Sequence, residues 1–184
     1  MTLLIVLGAL ALIIMWVISL QRGLVGKDEM CKNALSQIGV QQASRWDALT
    51  ALVELTKSYN EHEYNTLKEV IAMRKSINGT SSAADAQAQE VALGNLARQI
   101  NVVAEQYPDL KANENYAKTM DSVNVYENQV RQSRMVYNDS VTKYNRACRE
   151  FPASIVAGML GFSVRDYLDE AGSNGKSAMP SMKI

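Results

Sequence analysis

The N-terminal segment carries an apolar pattern unlike the rest of the chain. Residues 1–21 contain no charged side chain, and Leu3 to Leu20 is almost wholly apolar. Because an α-helix rises about 1.5 Å per residue, roughly twenty apolar residues cross a hydrocarbon core of about 30 Å. Trp16 suits the membrane interface, and Arg22 can reach the headgroups just beyond it. The pattern predicts a transmembrane anchor over residues 1–22.

The residues around the apolar run predict that the anchor is retained and how it is oriented. A cleaved secretory signal has a basic n-region and a small-residue cleavage site, and this sequence shows neither. Lys and Arg are absent before the apolar run, whereas Arg22, Lys27 and Lys32 follow it. The positive-inside rule therefore predicts a single-pass protein with its N-terminus outside and the following domain in the cytoplasm.

After the anchor, apolar positions recur at intervals of three and four residues, the spacing of amphipathic helices. We expect one helix from Lys27 to Ile77, which can continue the anchor without a break, a second over residues 83–106 and a third over residues 113–149. Pro108 stops the second helix, because proline disfavours the helical conformation of the residue before it. The positions predicted to face the core are Leu35, Ile38, Leu49, Leu52, Thr56, Tyr59, Leu67, Val70 and Ile77 in the first helix, Val91, Leu93, Leu96, Ile100 and Val103 in the second, and Tyr116, Met120, Val123, Val130, Tyr137, Val141, Tyr144 and Cys148 in the third.

The C-terminal part of the chain has shorter patterns. An apolar, glycine-containing piece runs from Ile155 to Phe162, and residues 171–184 turn to Gly, Ser, Asn and Lys without periodicity, which predicts a flexible tail. Long helices that alternate with short turns are typical of a bundle. The predicted fold is all-α: a transmembrane helix followed by a single domain over residues 23–170, an antiparallel up-and-down bundle of three long helices plus a short C-terminal helix.

Composition argues against several kinds of chemistry. Lys+Arg and Asp+Glu both number 19, so a chain of zero net charge is expected to have no nucleic-acid partner. Cys31 and Cys148 are too few for a disulfide framework or a cysteine-based zinc site, and we expect free thiols, although their spacing does not exclude a disulfide. His62 is the only histidine, whereas a di-iron centre in a bundle requires two. No phosphate-binding loop or nucleophile elbow occurs, so we predict no catalytic, cofactor-binding or metal-binding residues and no enzyme.

Polar side chains on the apolar stripes leave two interpretations open. These residues are Gln42, Arg45, Glu63, Arg74, Glu105, Glu127 and Arg134. They can form a buried site that binds a metal or ligand or performs catalysis, or they can form interhelical ion pairs that set helix register. We favour ion pairs, because no nucleophile, cofactor loop or metal set accompanies the charges. Glu127 and Arg134 are then expected to pair with charges on neighbouring helices, and Glu90 is expected to be a surface residue.

Several strings resemble, in order, the LemA family of bacterial membrane proteins. They include Ile38-Gly39-Val40-Gln41, Arg45-Trp46-Asp47, Leu52-Val53-Glu54, the specific run Tyr107-Pro108-Asp109-Leu110-Lys111-Ala112-Asn113-Glu114-Asn115-Tyr116, Tyr137-Asn138-Asp139 and Val156-Ala157-Gly158-Met159. The resemblance covers about residues 24–162 and implies a membrane-anchored helical bundle of unestablished role in the bacterial inner (cytoplasmic) membrane. Thr50 replaces a proline that is typical of the family, so we expect a straighter first helix.

These features together predict a membrane-anchored structural or interaction protein, a scaffold that self-associates. Gly8 lies among Ala9 and Ala11, which lets helices approach within the bilayer, and the apolar piece from Ile155 to Phe162 needs a cover. The resemblance also implies partners among membrane proteins, since similar proteins are found beside membrane metalloproteases. The expected partners are the lipid bilayer, further copies of the chain and such a protein; the alternative function is a metal-binding, ligand-binding or enzymatic bundle.

Overall fold

The structure is a computed structural model in which residues 1–168 are described. These residues form six α-helices: α1 (Thr2–Thr56), α2 (Glu61–Ile71), α3 (Ala83–Gln106), α4 (Pro108–Lys111), α5 (Glu114–Arg149) and α6 (Ala153–Leu160). The predicted fold class is confirmed, with an N-terminal helix long and apolar enough to cross a membrane and a helical bundle after it. The tail predicted over residues 171–184 lies outside the described residues.

The anchor and the first bundle helix are one continuous helix, as expected. α1 passes through Gly23 and Gly26 without interruption and also contains Thr50. Its length of 55 residues corresponds to about 80 Å. Burial begins at Leu24, so the predicted boundary between anchor and bundle lies inside a helix.

The first bundle helix does not continue to Ile77, and that part of the prediction is wrong. It ends at Thr56, and the side chain of Asn60 accepts the backbone N–H groups of His62 and Glu63 at the start of α2. A side-chain oxygen that satisfies the first free N–H groups favours a new helix over continuation of the old one. The signal was present in the sequence, since Asn60 with an acidic residue three positions later is typical of a helix start.

The residues after α1 return along it toward the membrane. Arg74 pairs with Asp47 at 2.6 Å, and the backbone of Ile77 crosses Gly39. A Cβ at position 39 would collide with the carbonyl of Ile77, so this crossing requires glycine. α2 and the irregular residues 72–82 therefore serve as the descending leg of the bundle, α3 runs parallel to α1, and α5 runs antiparallel to both.

The predicted stripes form the core with one clear exception. Leu93, Leu96 and Ile100 of α3 are buried with Trp46 and Leu49 of α1 in the core farthest from the membrane. Val91 was predicted to face this core, but it is 55% exposed. Residues two positions apart are rotated by about 200° around the helix axis. Val91, two positions before Leu93, therefore points away from the face that Leu93 shares with Leu96 and Ile100.

Candidate functional site

Arg45 joins three helices of the bundle. From α1 it donates to Glu90 of α3 at 2.7 Å and to Glu127 of α5 at 2.9 Å. Gln42, one turn earlier, donates through Nε2 to the Glu90 carboxylate at 3.2 Å and to the Ala86 carbonyl at 3.0 Å. We call Gln42, Arg45, Glu90 and Glu127 the charged seam. The predicted pairing of Glu127 with a neighbouring helix is confirmed.

The two acids of the charged seam differ in burial, and here the sequence interpretation is wrong. The side chain of Glu90 is 12% exposed, whereas that of Glu127 is 42% exposed and also contacts Arg131 at 3.5 Å. Glu90 is therefore not a surface residue. It lies at the edge of the α3 stripe, where the long side chain of Arg45 can reach it. The spacing of apolar residues does not predict contacts of this kind, which depend on the length of a side chain.

The other polar residues singled out on the stripes lie elsewhere. Arg134 donates to the amide oxygen of Gln87 on α3 at 2.8 Å. Glu63 is half-buried on α2, Arg74 is exposed beside Asp47, and Glu105 is exposed near the end of α3. Of the polar residues predicted on the apolar stripes, the fold thus brings Gln42, Arg45 and Glu127 together. The other four lie outside the charged seam.

The charged seam offers few groups for chemistry. Both terminal nitrogens of Arg45 are held by carboxylates, while Gln42 Oε1 and Arg45 Nε are buried without a partner among the described residues. Within residues 1–168, no group of three or more His, Cys, Asp and Glu side chains is placed to hold a metal ion. His62 is exposed at the start of α2, away from the charged seam. The arrangement is suited to holding α1, α3 and α5 in register.

Two asparagines on α5 form a second polar constellation that sequence reasoning missed. Asn145 donates to the carbonyl of Arg165 and accepts its N–H, both at 2.8 Å. Asn138 makes the same pair of bonds with Leu168, at 2.8 and 2.9 Å. Seven helical residues rise about 10.5 Å, and three extended residues span about 10 Å, so the two side-chain amides match the two backbone positions. We call these contacts the asparagine clamp.

The tyrosines beside the asparagine clamp pack as the sequence predicts. Tyr137 and Tyr144 are buried, and the Tyr137 hydroxyl donates to the Asp166 carbonyl at 3.1 Å. The Arg165 guanidinium lies 5.8 Å from the centre of the Tyr144 ring and pairs with Asp28 of α1 at 2.7 Å. The seven-residue Tyr-Asn repeat was the available signal: one member of each pair packs in the core and the other binds the clamped chain.

Ionisable groups near the asparagine clamp have shifted pKa values. Burial alone would raise the pKa of Asp28, but hydrogen bonds from Lys32 and Arg165 outweigh burial and hold it below its usual value. Burial raises the pKa of the Cys31 thiol, which keeps it protonated and weakly nucleophilic. Cys31 and the half-buried Cys148 are free thiols, as expected.

The architecture defines a class of protein: a bundle whose first helix begins as a segment long and apolar enough to cross a membrane. Within that class, the chain matches the model of the LemA family over residues 34–183 and belongs to this family. No curated protein matches the chain. Family membership makes it a membrane-associated helical protein whose biochemical role is uncertain.

Proposed function

We propose that this LemA protein is a membrane-anchored scaffold without catalytic activity, which self-associates through its anchor. The observation that carries the proposal is the continuity of α1 from residue 2 to residue 56. A helix without a break holds the bundle at a constant angle to the membrane and extends about 50 Å beyond Arg22. Surfaces of the bundle are then presented to partners at defined distances from the bilayer.

The charged seam supports a structural role over the ligand-binding alternative. Its carboxylates, the groups that a metal or substrate would use, already bind Arg45 and Gln42. Breaking these contacts to admit a ligand would leave Arg45 buried and unpaired, which is costly. We therefore assign the charged seam to helix register.

Two surfaces are available for association. In the anchor, a Cβ added at Gly8 would meet nothing within 4 Å, so this face is open to a second helix. On the bundle, a groove of about 310 Å³ between α1 and α5 is lined by uncharged side chains: Ala34, Gln37, Gln41, Gln129, Gln132, Ser133 and Val136. Glutamine amides both donate and accept, so this groove can exchange hydrogen bonds with a partner.

Light scattering of the full chain in mild detergent tests the self-association. We expect a discrete oligomer that Gly8→Leu weakens, because the larger side chain separates the anchor helices. Gly23→Leu is the matched control, since position 23 is equally open but lies beyond the predicted span. A monomer over a wide concentration range, with a bound metal found by elemental analysis, would favour the alternative function.

We further propose that the bundle lies on the cytoplasmic side of the bacterial inner membrane. The support is the excess of basic residues after the span, at Arg22, Lys27 and Lys32. Protease added to intact spheroplasts should leave the bundle undigested. Digestion from outside, before lysis, would reverse the orientation.

A further inference from the structure

Helix α6 lies beside the part of α1 that leaves the predicted span. On its inner face, Val156 and Ala157 are buried against Leu24, and Val17 and Leu20 pack against the same cluster. These two residues belong to the predicted span, whose other residues are exposed. α6 is therefore held at the level where α1 passes from hydrocarbon into the headgroup layer.

The outward face of α6 is apolar and uncovered by residues 1–168. Phe151 and Met159 are 80% and 82% exposed, and Ile155 is 56% exposed. Positions four apart share a helix face, so Ile155 and Met159 form one stripe, and Phe151 is exposed just before the helix begins. This stripe points away from the face that Val156 and Ala157 bury.

The segment that contains α6 is free of charge, and ion pairs bound it on both sides. Phe151 to Val164 is a run of 14 residues without Asp, Glu, Lys, Arg or His. Arg146 pairs with Glu150 before the run at 2.6 Å, and Arg165 pairs with Asp28 after it at 2.7 Å. Because Asp28 is eight residues past Leu20 on α1, it lies about 12 Å farther from the bilayer. The uncharged run thus lies between one ion pair that precedes it and another that follows it.

We propose that α6 is an interfacial membrane helix, which inserts Ile155 and Met159, together with Phe151 just before the helix, into lipid beside the anchor. With 8 residues, it is far too short to cross a bilayer, which takes about twenty. Interfacial helices bury their apolar face about 5–10 Å into the boundary between headgroups and acyl chains. Contact with Val17 and Leu20 places α6 in that layer.

Continuity with the anchor identifies lipid as the occupant of the stripe. Any molecule that covers Met159 has to enter the layer in which lipid already surrounds this part of α1. Arg22 and Arg149 are exposed at the edges of the segment and are placed to meet anionic headgroups. A lipid-embedded α6 gives the bundle a second attachment, which stops it from rotating about the axis of α1.

Spin-label accessibility in the full chain tests the proposal. Labels are introduced by Met159→Cys, Leu12→Cys or Met135→Cys in a Cys31→Ala, Cys148→Ala background, in vesicles of phosphatidylethanolamine and phosphatidylglycerol. Leu12 reports the span, and Met135, 62% exposed in the middle of α5, reports bundle surface in water. Collision rates are measured with oxygen, which concentrates in lipid, and with a water-soluble nickel chelate. The melting temperature of each labelled variant checks that the fold is retained.

We expect the Met159 label to resemble the Leu12 label, with oxygen collisions favoured severalfold over nickel, while Met135 shows the reverse. Nickel access at Met159 equal to that at Met135 would overturn the proposal. Low collision rates with both reagents, together with spin–spin broadening, would show a second copy on the stripe and would also overturn it. A Leu12 label in water would overturn the anchor and the interfacial helix together.

Discussion

The two ends of the bundle are held together by different kinds of interaction. Far from the membrane, α1, α3 and α5 contribute to an apolar core around Trp46, and the charged seam joins the three helices mainly through ion pairs between side chains. Near the membrane, the asparagine clamp binds the backbone of an irregular segment, and Arg165 ties that segment to Asp28 of α1. The end far from the membrane is held together by packing between helices. The end near the membrane depends on hydrogen bonds from α5 to an irregular segment.

Because different interactions hold the two ends, we expect each end to be perturbed separately. A buried ion pair couples helices that also share the core, so its loss weakens the cooperative unit as a whole. The asparagine clamp holds only residues near 165 and 168, which can detach while the core stays packed. The expected effects therefore differ in size and in how far they spread.

The largest effect is expected from Arg45→Met in the charged seam. The substitution removes the cationic partner of Glu90, which is only 12% exposed and keeps the uncharged amide of Gln42 as a donor. We expect the free energy of unfolding to fall by about 3 kcal/mol in denaturant titration. Arg74→Met is the matched control, because its pair with Asp47 is exposed and such pairs contribute about 0–1 kcal/mol. Adding Glu90→Gln to Arg45→Met should recover part of the loss. If Arg45→Met and Arg74→Met lower the free energy of unfolding equally, the charged seam contributes no more stability than an exposed ion pair.

A smaller and more local effect is expected from Asn145→Ala in the asparagine clamp. The change strands the N–H and carbonyl of Arg165 and should cost about 1–3 kcal/mol. Hydrogen exchange at the Arg165 amide should accelerate, while the indole N–H of Trp46, bound to Gln89 at 3.1 Å, should keep its protection. Asn124→Ala, at an exposed position of the same helix, should leave hydrogen exchange unchanged at both the Arg165 amide and the Trp46 indole N–H. Unchanged exchange at Arg165 would contradict the clamp.

The smallest effect is expected from acidification at Asp28. Its pKa in the folded protein lies below the unfolded value of about 3.9, so its stabilising contribution is complete above that value. The contribution is lost as the pH falls through the folded pKa. Asp28→Asn should therefore flatten the decline of stability below about pH 4, and Arg165→Met, which removes a hydrogen-bond partner, should flatten it in the same way. If the stability of Asp28→Asn declines with falling pH in the same way as that of the unsubstituted protein, Asp28 does not have this role.

The contrast between the two ends also explains how much could be predicted from the sequence. Leu93, Leu96 and Ile100 of α3 follow the helical period, so their spacing placed them in the core. The pairing of Glu127 was predicted from its position on a stripe together with the lack of a nucleophile, cofactor loop or metal set beside it. The asparagine clamp joins residues separated by 20 and 30 positions, and its backbone partners carry no periodic pattern. The break at Asn60 depends on a local capping bond, which competes with a stripe that would otherwise continue. Periodicity therefore predicted packing between helices but not the contacts of irregular chain.

The continuity of α1 from the anchor into the bundle is the central claim, and a distance between two spin labels tests it most directly. Labels at Ile14 and Val40, both exposed on α1, are 26 residues apart and should be separated by about 39 Å along a straight helix. In a lipid bilayer, with Cys31 and Cys148 replaced by alanine, we expect a narrow distance distribution near that value. A broad distribution, or one centred well below it, would place a hinge near Gly23 or Gly26 and contradict the account.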